Sequence, residues 1–504
     1  MTHSGQLLYC YQTLTHHLSE ISITIIVINN KSQLFYNKKG GTFAAGKNRS
    51  TEQQRYTRYM THNYSFKSMV KKYVNSSAVL IICTIFALVL ANSPLKDEFL
   101  SFWNQEVCLS IGNFNLFSHN GHPMTLIQVI NDFLMAIFFL SVGLEIKREI
   151  LVGELSSAKK AMLPIIGACG GMLIPVIFFW LTCPNDPDMM RGVAIPMATD
   201  IAFSLGVLSI FDKRVPISLK IFLAALAVAD DLGGIIVIAL FYSSTIDINY
   251  LLLSGACIAV LVIANHKKIM SKNFYLVVGL VLWYLMLNSG IHSTIAGVIV
   301  AFCVPGSLRK SAVRYIERIK ENISGFNEVH VTGKHHTAIL THEEIHKLKS
   351  IESAADKLIS PLQELEDRLH NIISYFIIPL FAFANVGIDL SVMSIGSIFG
   401  GIGLSVIIGL VAGKFIGVFT FSWVAIKLGI VQLPQGADWK SFASVCMLCG
   451  IGLTVSIFIA DLSYAALGSG TTLLSEAKLG ILCGSLISAV AGCLLLNKYL
   501  PKKA

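Results

Sequence analysis

About twelve apolar stretches constrain this chain more than any other feature of its sequence. They lie at about residues 77–92, 124–145, 161–182, 194–211, 217–242, 250–265, 274–288, 290–305, 371–388, 399–426, 441–464 and 475–497. In hydrocarbon a backbone N–H or C=O has no water to bond to, so only helices and closed barrels can cross. Barrel strands alternate apolar and polar residues in segments of ~10, whereas these runs are continuous, so they predict helices. Composition agrees: 54% of the 504 residues are hydrophobic and 14% are charged, against roughly 25% charged in soluble domains. The expected fold is an all-α polytopic membrane protein. Several runs are shorter than the ~20 residues of a straight span, which predicts tilted or broken helices among them.

The connecting charges test the count independently. Alternate connections carry Lys67, Lys71 and Lys72; Lys147, Arg148, Lys159 and Lys160; Lys213 and Arg214; Lys267, Lys268 and Lys272; Arg309, Lys310 and Arg314; Lys427 and Lys440; and Lys498, Lys502 and Lys503. Those between them are poor in bases and hold acids such as Asp97, Asp186, Asp247, Asp389, Asp461 and Glu476. By the positive-inside rule both termini face the cytoplasm. Residues 1–69 read as an N-terminal extension, polar and aperiodic, either disordered or a mis-assigned start with Met60 or Met69 as alternatives. Residues 70–500 read as the membrane domain. Within it, the connection 308–370 is a cytoplasmic insertion with amphipathic ends. His342 and His346 match HExxH there, but without a visible third ligand or cleft the match reads as solvated helix rather than a protease. Eleven scattered cysteines suggest no disulfide framework.

Charges inside apolar runs are costly and mark functional sites by default. Asp230 and Asp231 lie together at the middle of "LAALAVADDLGGIIVIALFY"; Asp200 follows Pro196 in "AIPMATDIAFSLG"; Lys414 lies in "LVAGKFIGVF"; Asp132 lies in "QVINDFLMAIFFL". Helical neighbours point about 100° apart, so one lysine cannot readily satisfy both members of the adjacent pair. Two carboxylates in a low dielectric repel, and a proton on one relieves the repulsion. A hard cation such as sodium prefers oxygen ligands and competes for the same place. If the site opens alternately to each side, sodium and protons exchange without a nucleotide, and no GxxxxGK[ST] loop is present. No cofactor and no nucleic-acid partner are implied. Pro196 with Thr199 and Asp200, and the glycines of "CGIGLTVSIFIADL", predict two interrupted spans at the midplane. Asp200 and Lys414 have the signs that compensate exposed helix N-termini and C-termini.

At these residues the chain resembles the NhaA family of sodium/proton antiporters. The matching stretches are "NDFLMAIFFLSVGLEIKRE", "AIPMATDIAFSLGVL", "RVPISLKIFLAALAVADDLGGIIVIALFY", "GIHSTIAGVIVAF", "IIPLFAFANVGI" and "LCGIGLTVSIFIADL". The resemblance implies inverted repeats with two crossed, discontinuous helices. It further implies that Asp230 and Asp231 bind sodium or lithium, that Thr199 and Asp200 belong to the broken helices, and that Lys414 is their positive partner. Glu145, Arg148, Glu149, Glu366 and His370 match the family's pH-responsive charge cluster. Phe415 stands where the family commonly has proline. The implied activity is electrogenic exchange of Na+ or Li+ for H+ across a bacterial inner membrane, in contact with its lipids, serving pH and salt homeostasis, with a homodimer as the assembly. A proton-coupled symporter of a small solute is the alternative. An intramembrane aspartyl protease lacks its GxGD motif here, and a passive channel needs no titratable pair.

Overall fold

The computed structural model describes residues 76–500 apart from 112–113, 120, 212–213, 243–245, 308–311, 325–341, 389–400, 466 and 468–469. The N-terminal extension, the middle of the insertion with His335 and His336, and Asp389 therefore lie outside the described residues. Every described helix lies within residues 68–504.

The chain is mostly helical. In order, the helices are α1 (Ser76–Ala91), α2 (Lys96–Trp103), α3 (Leu126–Val152), α4 (Ala158–Thr182), α5 (Pro187–Met197), α6 (Ile201–Ser209), α7 (Ile217–Phe241), α8 (Ile248–His266), α9 (Lys272–Leu287), α10 (Ile295–Cys303), α11 (Ala312–Ser324), α12 (His342–Leu358), α13 (361–385), α14 (Gly401–Lys427), α15 (Trp439–Leu448), α16 (Leu453–Tyr464) and α17 (Gly470–Tyr499). Among the described residues six are long and apolar enough to cross a membrane, or up to nine if each bent pair is one span. Three pairs are bent at short breaks: α1 with α2 by 118°, α5 with α6 by 44°, and α15 with α16 by 43°. The only β structure among the described residues lies before α3, where His122–Thr125 pairs antiparallel with Glu106–Val107 and Ser118–His119, and Ser110–Ile111 pairs antiparallel with Phe114–Asn115. Large apolar side chains such as Ile82, Trp180, Leu240, Leu252, Val277 and Leu486 face outward, as lipid-facing positions do.

Local sequence explains the ends and irregularities. Thr125 begins α3 with a capping box: its hydroxyl accepts from Gln128 N, and Gln128 Oε1 accepts from Thr125 N at 2.9 Å. One π turn, Ile130–Leu134, comes next and holds Asn131 and Asp132. A second, Ile373–Ile377, interrupts α13, and a third, Gly409–Gly413, precedes Lys414 in α14. Such turns recur at functional sites. In α4, Pro164 and Pro175 are accepted within the helix. Helices α4 and α14 cross so closely that a Cβ on Gly417 would lie 2.2 Å from the Gly170 carbonyl oxygen. Small residues permit such backbone approach, which is the main source of packing energy between helices in lipid. Gly417→Val should therefore lower the yield of folded protein and its thermal midpoint in detergent, by more than the 1–3 kcal/mol common for overpacking, since the obstacle is backbone.

The insertion leaves and rejoins the bundle at one place. Leu362 N donates to the Pro305 carbonyl at 3.3 Å, while α11 and α12 pack on one another, with Lys357 over the Tyr315 ring and Asn322 donating to Ser350 Oγ.

Candidate functional site

Helix α7 has no proline between Ile217 and Phe241 and continues through Asp230 and Asp231 without a break. The two carboxylates consequently leave the helix in different directions and meet different surroundings. Asp230 is 2% exposed. Its Oδ2 accepts from Lys414 Nζ of α14 and, at 2.6 Å, from Thr199 Oγ1. Asp231 instead lines a cleft together with Glu145, Thr199, Asp200, His370, Ser374 and Thr454. The Oδ1 atoms of both aspartates are buried without a hydrogen-bond partner.

The two breaks meet beside this pair. Ala198 is extended between α5 and α6, and Gly450–Gly452 separate α15 from α16. Asp200 N donates to the Ile451 carbonyl at 2.7 Å, and Thr199 Oγ1 lies 3.0 Å from the Cys449 carbonyl. A Cβ on Gly452 would lie 2.8 Å from the Ala198 carbonyl oxygen, so the close approach of the two breaks demands glycine at that point. Asp200 caps both half-helices: Oδ1 accepts from Phe203 N at 3.0 Å in the first turn of α6, and Oδ2 accepts from Thr454 Oγ1 at 2.8 Å and Thr454 N at 3.3 Å in the first turn of α16. An anion at two helix N-termini is favoured by both dipoles. Lys414 is 0% exposed and donates to Asp230, which Thr199 in turn links to the Cys449 carbonyl at the end of α15.

The cleft runs toward a charge cluster on α3 and α13. Arg148 Nε lies 3.2 Å from Glu366 and Arg148 Nη2 lies 3.1 Å from Glu149, whose Oε2 accepts from Glu154 N. Glu145 and His370 line the cleft itself. Burial pushes the Glu366 carboxyl up to about 7; the Arg148 guanidinium opposes the rise, and Glu145, Asp367 and Glu149 add to it. Of the five residues read as a group from the sequence, Arg148 pairs with Glu149 and Glu366, while Glu145 and His370 line the cleft.

A model of the Na+/H+ antiporter 1 family matches residues 67–496. The chain belongs to this family. A Na+/H+ antiporter NhaA of Phocaeicola vulgatus is 50% identical over 441 residues, covering 88% of this chain and 97% of its own. One from Bacteroides fragilis is 50% identical over 444 residues, 88% of this chain and 100% of its own. A more distant one from Glaesserella parasuis is 41% identical over 422 residues, 84% and 93% respectively. Within the family, pH and salt roles are typical.

Some polar residues of the interior escaped sequence reasoning. Thr454 contributes to Asp200 and to the cleft; its signal is its place as the first polar residue after the glycine break. Lys478 is buried in α17, inside an apolar run where its charge alone marks it. Asp461, which sequence placed among the connections, lies within α16. Asn131 and Asn385 exchange amide hydrogen bonds across 254 positions of sequence, which no local pattern announces. Among the described residues no group of three or more His, Cys, Asp or Glu side chains could hold a metal ion.

Proposed function

We propose that the chain exchanges Na+ for H+ by alternating access, with Asp230 and Asp231 as the ion-binding carboxylates. The observation that supports this most directly is the pair of unpartnered, buried Oδ1 atoms beside the meeting of two helix breaks, one of them on Asp231, which lines the cleft. Oxygens without donors can accept a proton or ligate a hard cation, and one oxygen cannot do both at once. A sodium ion coming up the cleft meets Asp231 first. To reach Asp230 it competes with the Lys414 ammonium, so sodium binding loosens an ion pair as it expels protons. Thr199 supplies a hydroxyl oxygen between the carboxylates and the Cys449 carbonyl. Asp200 holds both half-helix N-termini and so keeps the crossing intact.

In this reading the spans number about twelve in inverted repeats, α5–α6 and α15–α16 are the crossed, discontinuous helices, both termini face the cytoplasm, and Li+ can replace Na+. The protein works in the bacterial inner membrane, and a homodimer is the assembly the family resemblance suggests. The cleft then opens inward, past Glu145, Arg148, Glu149, Glu366 and His370. Purified protein in vesicles with an internal pH dye tests the exchange: sodium added without any organic solute must move protons, in a direction set by the sodium gradient. Proton movement that requires a solute would replace this reading by a symporter.

Two further results are expected. With its carboxyl titrating at about 7, Glu366 is neutral below that pH and pairs fully with Arg148 above it. Folding thus takes up a proton between the ordinary glutamate value and about 7. The group's contribution to stability is complete below the ordinary value and is lost as pH rises through 7, while the ion pair strengthens over the same range. Glu366→Gln should flatten the pH dependence of exchange over roughly pH 6–8, read from dye-monitored rates at graded pH; an unchanged profile would remove Glu366 from the response. The insertion should matter far less. Because its ends meet at Pro305 and Leu362, replacing residues 312–358 by a short Gly/Ser linker should leave exchange within about twofold, since closing a short surface loop costs little.

A further inference from the structure

On the far side of the crossing from the cleft, the interior changes character within two helical turns. Thr454 lies on the cleft and Phe458, one turn further along α16, is fully buried. Its ring packs against Phe139 of α3 at 5.6 Å, Phe381 of α13 at 6.4 Å and His292 at 6.3 Å. Three residues beyond, Asp461 Oδ2 accepts from Asn131 Nδ2 of α3 at 2.7 Å. Asn131 in turn is held by Asn385 of α13, whose Nδ2 donates to Asn131 Oδ1 at 2.7 Å. Lys478 of α17 acts electrostatically on Asp461 and is 8% exposed. Nearby, Asp132 accepts from Ser293 Oγ at 2.8 Å. An aromatic collar backed by a buried polar knot therefore joins α3, α13, α16 and α17. The knot uses the π turn of α3, a backbone irregularity of the kind that recurs at functional sites.

The geometry points to Asp461 as a positioning residue for the exchange. Its bond to Asn131, backed by Asn385 and Lys478, is the latch that keeps the outer half of the pathway shut over the Phe458 collar, and it breaks when the site opens outward. This rests on the exchange reading above and adds to it the residues that set the balance between the two open states. Apparent affinity from either side scales with the fraction of protein open to that side. Loosening the latch therefore tightens sodium binding from outside and weakens it from inside. The loss of one hydrogen bond to a charged group corresponds to about a tenfold change in that ratio.

The test uses the full chain in vesicles of known orientation, with sodium-driven proton flux of the unmodified protein as the control that tests the exchange reading by itself. Apparent sodium affinity is then measured from each face for Asp461→Ala and Asn131→Ala. Each variant should shift the ratio of inner to outer affinity by about tenfold toward the outer face, and the double variant should shift it no further than either single one, because both remove the same bond. Asp461→Ala strands Lys478, so Asp461→Ala with Lys478→Met supplies a variant without the unpaired buried charge if the single one does not fold. An unchanged ratio in folded variants overturns the proposal. So does an equal loss from both faces, which would make Asp461 part of the transport site or of the scaffold.

Discussion

Asp231→Asn should reduce sodium-driven proton flux by roughly two orders of magnitude or more while leaving the thermal midpoint in detergent nearly unchanged. The amide keeps the shape of the side chain and loses both the negative charge and the exchangeable proton. Losing about 3 kcal/mol of interaction with the cation is a factor of roughly 100 in binding, and no partner of Asp231 is stranded, since its Oδ1 has none. Asp230→Asn should also stop exchange but at a cost in stability, because Lys414 would then be a buried cation facing an amide. The unmodified protein should show a sodium affinity that weakens as pH falls, since protons and sodium contend for the same oxygens. It should also respond to an imposed membrane potential, at about 2.3 kcal/mol per net charge per 100 mV. Potassium with valinomycin clamps the potential while affinity is measured across pH. Retained flux in Asp231→Asn would refute the assignment of the site, and pH-independent affinity would refute the competition. Indifference to potential would mean that one charge is exchanged for one.

Lys414→Met should destabilise the protein by about 3–5 kcal/mol, the cost typical of leaving one member of a buried ion pair without the other. Both side chains are 0% exposed, and Lys414 is the cation bonded to Asp230, so water cannot take its place cheaply. The same loss should be largely repaired in Lys414→Met with Asp230→Asn, which removes both charges. The double variant folds yet cannot transport. Thermal unfolding of the three purified variants checks this. A Lys414→Met protein as stable as the unmodified one would show that the pair contributes nothing to the fold, and absence of repair in the double variant would assign the loss to packing of the lysine stem.

The contrast between these two aspartates shows how far local sequence carries. Adjacent positions on an uninterrupted helix already imply divergent directions, and a pair of charges in an apolar run already implies a site. Which of the two is paired and which is open depends on α14, 184 positions away in sequence. Asp200 is legible as an anion at an exposed helix start, because Pro196 and the short run around it signal a break. That it serves two helix starts, through Thr454, needed the second break to be brought against the first.

The sequence by itself determined the class of solution. Continuous apolar runs leave the backbone no alternative to helices in lipid, and charges placed within them, having no water to face, declare a site. It also marked where spans would break, since proline and glycine act through their own residue's backbone. The tertiary structure alone decided the pairings: Lys414 with Asp230, Arg148 with Glu366, and Asp461 with Asn131. Hydrogen bonds and ion pairs between distant segments depend on register and crossing angle, which small-residue contacts such as Gly170 against Gly417 help to set, and no periodicity along one helix encodes that distance.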